Sequence, residues 1–331
     1  PTTFQNPAGL VFRRWEIWRG TVKDTYTNRV RVGYDKTTNF YRDEGLAVDT
    51  TYYYKFDTIF YDPTKEEEKV INFFKSEKTT GLLEGIVNED LDLAGIYKMG
   101  TSLSYPYPSD TGVVVVDGVT LSIGSNVTIT RPPGSAYRIM ATGGNLQVDG
   151  ASFEGIILSF GNPSDDDSYA DGYVRNATGP GVYVVGESKD IEVKKNKETS
   201  VSLSGNSTAD ILENPGIASI TLSDEAHAFI ETNVISNIVT INDEATAEIK
   251  NQNTILSRIE VRESAYANIT NKNTLHGGVL VTGYGSLTDK KARARIKGNT
   301  LTSEFKNQGI DVYYGASAEV TDNTIGWTGF H

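Results

Sequence analysis

Hydrophobic and polar positions alternate along this chain, and over its second half the alternation itself repeats. The pattern small-x-Ala-x-(Ile/Val) occurs as Ala226-His227-Ala228-Phe229-Ile230, then as Ala245-Thr246-Ala247-Glu248-Ile249 and Ala265-Tyr266-Ala267-Asn268-Ile269. It returns as Ala292-Arg293-Ala294-Arg295-Ile296 and Ala316-Ser317-Ala318-Glu319-Val320, with an earlier copy at Ser207-Thr208-Ala209-Asp210-Ile211. An Asn follows each copy, at Asn214, Asn233, Asn253, Asn273, Asn299 and Asn323, with separations of 19, 20, 20, 26 and 24 residues. Ahead of each copy lies a second alternating pair: Val201/Leu203, Ile220/Leu222, Val239/Ile241, Ile259/Val261, Val279/Val281 and Ile310/Val312.

Alternation of this kind belongs to strands, whose successive side chains point to opposite faces. It sends Ile, Leu, Val and Ala to one side and Thr, Glu, Lys and Arg to the other. Two short strands and a polar turn per repeat make one coil of a β-solenoid. A single coil cannot bury its inner face, but stacked coils share a continuous core. With coils about 4.8 Å apart, ten or so would make a stack on the order of 50 Å long.

Toward the N-terminus the pattern loosens but continues through Val113 to Val116, Val119/Leu121/Ile123, Val127/Ile129, Ile139, Leu146/Val148 and Phe153. The stretch Gly118-Val119-Thr120-Leu121-Ser122-Ile123, followed by Asn126-Val127-Thr128-Ile129, resembles the opening coils of right-handed parallel β-helix proteins of the pectin lyase-like group. Gly144-Asn145-Leu146-Gln147-Val148-Asp149-Gly150 resembles them too. The resemblance covers roughly residues 85–326 and implies a fold more than an activity. A strict hexapeptide period, the mark of a left-handed helix, is absent. Residues 79–331 are therefore expected to form a right-handed parallel β-helix.

Residues 10–75 carry aromatic-rich strands with no such echo. Trp15-Glu16-Ile17-Trp18-Arg19-Gly20-Thr21 resembles the third strand of a fibronectin type III module. Phe40-Tyr41-Arg42-Asp43-Glu44-Gly45-Leu46 is similar to its fifth strand, and Thr50-Thr51-Tyr52-Tyr53-Tyr54-Lys55-Phe56 to its sixth. On that alignment Tyr52 takes the tyrosine-corner position. Nine residues before Leu10 are too few for the first two strands, which come from upstream of Pro1 or from another chain. Residues 1–78 are thus expected to be a partial fibronectin type III-like β-sandwich, and the fold class all-β. The resemblance implies spacing and adhesion, with no catalytic residues. Only Pro63 to Ser76 shows helical spacing.

The formal net charge of −12 argues against nucleic acid, which needs a basic face. There is no cysteine, so disulfides and thiolate metal sites are excluded. No apolar window is long enough for a membrane-spanning helix. The chain opens at Pro1 without a signal segment, which was removed or lies upstream. Gly 32 and Met 2 fit a turn-rich β protein.

Candidate chemistry is sparse. Asp165-Asp166-Asp167-Ser168-Tyr169-Ala170-Asp171-Gly172 is the densest acidic run, and Asp165, Asp167 and Asp171 are its candidate Ca²⁺ ligands. Tyr169 and Ala170 break the EF-hand pattern, which favours a solvated loop. Lys290, Lys291, Arg293, Arg295 and Lys297 form a basic stripe, for which an ion-pair ladder with Glu319, Asp289 and Glu304 is favoured over polymer binding. His227, His276 and His331 have no metal-ligand spacing. Hydrolysis of a polysaccharide would need two outward carboxylates; Glu260 and Asp311, on either side of the Leu280 coil, would stand about 10 Å apart. The repeating Asn reads as an internal ladder with left-handed turn geometry rather than a ligand site. Sequons at Asn126, Asn176, Asn206 and Asn268 permit glycosylation without showing it.

The favoured reading is a structural or adhesive β-helical rod, extracellular or on a virion, that self-associates into a layer, filament or appendage. The alternative is a polysaccharide-binding or polysaccharide-cleaving spike of the pectin lyase-like type. Self-association is expected through the apolar segment Val11 to Trp18, with Trp327 and Phe330 covering the last coil.

Overall fold

The computed structural model describes residues 9–34, 43, 46, 50–78, 81–103, 106–135, 137–283, 291–303 and 309–327. Two compact units divide the chain, residues 1–81 and 82–331. Strands, and no helix, make up the regular structure among the described residues.

The first unit is an antiparallel sheet of β1 (Val11–Gly20), β2 (Asn28–Gly33), β3 (Thr51–Asp62) and β4 (Glu67–Lys78), in the order β2-β1-β3-β4. Ile17, Tyr52 and Tyr54 are buried together, with Trp15, Val30, Leu46 and Phe56 packed against them. Tyr54 donates its hydroxyl to Asp43 Oδ2 (3.0 Å), which Arg19 also reaches (2.9 Å). The first unit holds no second sheet among the described residues. The expected fifth strand, 40–46, is described only at Asp43 and Leu46, so the type III likeness is not confirmed. The helical spacing after Pro63 was misleading: Glu67–Lys78 is a strand, paired with β3 at every residue from Glu67 to Lys78. Adjacent β-branched Val70 and Ile71 favour that choice. Within Val11 to Trp18, Ile17 is buried and Trp15 and Trp18 are partly covered, so Val11 is the most exposed of its large apolar side chains.

The second unit is a parallel β-helix. One wall holds eleven parallel strands, from Leu91–Leu93 to Ser317–Thr321, one per coil. Eleven strands at about 4.8 Å spacing make a ladder about 48 Å tall. A second wall runs from Gly85–Val87 through the long strands Lys197–Leu203 and Gly216–Leu222, where it divides into two ladders of shorter strands. A third, four-stranded ladder begins at Gly81–Leu83 and ends at Ser152–Glu154. Isolated bridges from Ser152 to Thr178 to Lys197 carry it into the second wall.

The registers follow the sequence repeat. Ala209, Ala228, Ala247, Ala267, Ala294 and Ala318 stack as Cα partners, as do Ile211, Ile230, Ile249, Ile269, Ile296 and Val320. On the second wall Val201, Ile220, Val239, Ile259, Val279 and Ile310 form the matching column. These columns face a single core that is open to solvent only toward its two ends: in the first coil Leu91, which stacks on Leu121, is 38% exposed, and in the last Val320 is 44% and Ile325 62% exposed. The side chain of Trp327 and all of Phe330 lie outside the described residues.

The Asn residues form a buried ladder at the corner after the eleven-strand wall. Asn214, Asn233, Asn253 and Asn273 each accept at Oδ1 from the backbone N–H of the ladder Asn one coil earlier, at 2.8–3.0 Å. Each Nδ2 reaches back to a carbonyl of the preceding coil: Asn214 to Val193 (2.9 Å), Asn233 to Ile211 (2.8 Å), Asn253 to Ile230 (3.0 Å). Asn196 starts the ladder, a member the repeat did not reveal, and Asn323 ends it.

The left-handed backbone falls one residue before each Asn, not on it. Lys195, Glu213, Thr232, Gln252, Lys272 and Asp322 have φ between 53° and 67°, and Gly298 takes the same place at 69°. A β-branched Thr in this conformation is disfavoured. The hydrogen bonds of the neighbouring Asn hold it there.

Candidate functional site

The residues expected to carry chemistry do not converge. Glu260, Leu280 and Asp311 do stack on successive coils of the second wall. Glu260, however, is only 1% exposed, because Arg258 and Arg262 both close on its carboxylate. Alternation predicts direction from the wall; it does not predict that two arginines will fold over an outward carboxylate. Sealed from water in this way, Glu260 cannot activate one. At Asp110 burial alone would raise the carboxyl, but two hydrogen bonds from Arg138 (3.0 and 2.8 Å), with a further bond from Tyr137, hold it below its ordinary range.

Asp165, Asp167 and Asp171 lie in and just after the loop that leads to strand Asp171–Arg175. Asp165 Oδ1 accepts from the Asp167 N–H at 3.3 Å. Among the described residues, no group of three Asp, Glu, His or Cys side chains is placed to hold a metal ion.

The basic stripe sits on the outer face of the eleven-strand wall, where Arg295 pairs with Glu319 (3.7 Å) and Lys297 with Asp322 (3.6 Å). Lys290, Asp289 and Glu304 lie outside the described residues, as does His331. His227 shares a hydrogen bond with Thr246, and His276 one with Thr302 (3.2 Å).

The same outer face carries a feature that no single motif announced. Its central column reads Tyr173, Glu192, Asp210, Phe229, Glu248, Asn268, Arg295 and Glu319 in consecutive coils. Phe229 is 41% exposed, and Tyr266, beside Asn268 on its strand, is 39% exposed. The His227 ring meets Phe229 edge-on at 4.8 Å, and the Arg175 guanidinium lies over Tyr173 at 4.2 Å. Between these rings stand two carboxylates on neighbouring coils. Arg175 Nε donates to Glu192 Oε1 at 2.5 Å. Asp210 has neither hydrogen bond nor ion pair among the described residues. Burial pushes its carboxyl above the ordinary range, the Asp190 and Glu192 charges push it further, and His227 opposes them.

One signal pointed this way. Ile191-Glu192-Val193, followed by Asn196, is the same strand-and-Asn element with Ile in place of the Ala that stands between the two outward positions, Ala209 in the next coil. Extending the repeat by that one coil places Glu192 beside Asp210.

No protein-family model matches this chain, and no curated protein matches it. Among solved structures, pectate lyase PelI from Erwinia chrysanthemi, in complex with tetragalacturonic acid, shares 13% identity over 98% of this chain and 94% of that one. The TM-score is 0.21. Pectate lyase Pel3 from Pectobacterium carotovorum shares 10% identity over 96% and 86% of the two chains, with a TM-score of 0.18. Likeness at this level carries nothing about activity, and the site stands on its own residues.

Proposed function

We propose that this protein is an adhesive β-helical rod of an outer surface, and that it recognises an extended polysaccharide along the outer face of its eleven-strand wall. The observation that supports this is the exposed rings of Phe229 and Tyr266, in line with the half-buried Tyr173 beneath Arg175 and set among Glu192, Asp210, Glu248 and Asn268. Sugars present apolar C–H faces and hydroxyl edges, and flat rings beside carboxylates and amides complement both. A parallel wall supplies a straight track, because each coil repeats the last at about 4.8 Å. Tyr173 and Phe229 are three coils apart, about 14 Å, a span of several linked sugars.

Affinity electrophoresis against soluble β-glucan, xylan, chitosan and polygalacturonate tests the reading. Retardation by at least one polymer is expected, and Phe229→Ala should weaken it about three- to tenfold, the worth of one aromatic contact. Equal retardation of the variant, or none of the wild type by any polymer, would contradict it.

A further inference from the structure

We infer that Glu192 and Asp210 form a hydrolytic pair that cleaves the bound glycan with retention of anomeric configuration, Asp210 serving as acid and Glu192 as nucleophile. This rests on the glycan-binding reading above and adds an activity to it.

Three observations converge. First, register makes the two residues direct partners in adjacent coils, so their backbones are about 4.8 Å apart, near the carboxyl separation of about 5–5.5 Å used by retaining enzymes. The Glu260–Asp311 spacing, two coils, lacks this match. Second, the environments of the two carboxylates differ. Glu192 is tied to Arg175, whereas Asp210 has no partner and is shifted toward its protonated form. One carboxyl held by an arginine and its neighbour unpartnered and shifted toward the protonated form are the unlike environments that nucleophile and acid roles require. Third, Tyr173 lies one coil before the pair and Phe229 one coil after it. A sugar chain seated on both rings crosses the carboxylates between them.

The chemistry closes. The Asp210 carboxylic acid gives its proton to the glycosidic oxygen as the bond from that oxygen to C1 breaks. A Glu192 oxygen bonds to C1 from the opposite face, and the leaving sugar departs as an alcohol. Asp210, now a carboxylate, then takes a proton from water, whose oxygen attacks C1 and displaces Glu192. One water is consumed, both carboxyls return to their starting states, and two inversions give net retention.

The test incubates the full chain with the same four polymers and measures reducing ends, with proton NMR of the first product. Wild type should release reducing ends from the polymer it binds, and the new anomer should match the original linkage. Asp210→Asn and Glu192→Gln should each lower the rate at least a hundredfold while still binding that polymer. Glu67→Gln, on the antiparallel sheet of the first unit, should leave it unchanged. For an aryl glycoside with a good leaving group, Asp210→Asn should recover much of the loss and Glu192→Gln should not. A merely structural role for Asp210 would not produce that split. Binding without cleavage, an inverted product, or full activity in both variants would overturn the pair and leave the binding reading intact. Absence of binding to every polymer would overturn both.

Discussion

The two faces of the eleven-strand wall are made by the same strands and follow opposite rules. Inward, Ala is used in six successive coils, from Ala209 to Ala318, and Ile or Val beside it throughout. Outward, from Tyr173 to Glu319, no residue type is used in two successive coils. A core shared by identical coils rewards repetition, because each layer must fit the one below it. A face that meets a partner has no such constraint. Repetition therefore reports the fold here, and departure from repetition falls on the face proposed to bind glycan.

The contrast can be broken by substitution, the largest effects being expected inside. Ile249→Ala should lower stability by about 2–5 kcal/mol in urea unfolding, the cost of a large-to-small change in a closed core. A much smaller loss would mean that Ile249 does not face the core. Asn253→Ala removes the acceptor for Asn233 N–H and the donor to Ile230 and Lys250 carbonyls. Each buried group left unpaired costs about 1–3 kcal/mol, so the variant should unfold at clearly lower urea while glycan affinity is unchanged. Loss of affinity without loss of stability would make the ladder a site after all.

How far the sequence could be read follows from the same contrast. Columns such as Val201 to Ile310 were legible because each coil repeats the physical demand of the last. The place of the left-handed residue was not, because Thr232 and Glu213 are poor candidates for positive φ by type and are held there by Asn233 and Asn214. Nor was the burial of Glu260, which depends on two arginine rotamers rather than on strand alternation. The pair at Glu192 and Asp210 needed the register of a coil in which Ile191 replaces the stacked Ala.

Smaller effects sharpen the picture. Thr232→Gly relieves the left-handed strain and should raise stability by less than about 1 kcal/mol in thermal melts, glycine's greater unfolded freedom offsetting part of the gain. A loss there would mean that the Thr232 side chain matters more than its backbone. Neutralising Arg293 and Arg295 together should cost about 1 kcal/mol or less, since the Arg295–Glu319 pair is solvent-exposed.

Asp210→Asn should change the sign. Because the folded Asp210 carboxyl is shifted upward, the stability it contributes is fully present below the ordinary carboxylate range. That contribution is lost as pH rises through the folded value. The variant should therefore melt slightly above wild type at neutral pH, with the gap closing in acid. A lower melting temperature at neutral pH would show that the Asp210 carboxylate has a stabilising partner.

The most direct measurement sets glycan affinity beside melting temperature for Phe229→Ala and Asn253→Ala in the same buffer. The two residues belong to neighbouring coils of one wall, one on its outer face and one in its buried corner. Phe229→Ala should weaken binding about three- to tenfold and leave the melting temperature near that of wild type. Asn253→Ala should lower the melting temperature and leave binding by the folded protein intact. Phe229→Ala binding as tightly as wild type, or weakened only as much as Asn253→Ala, would contradict the assignment of fold to the inner face and recognition to the outer.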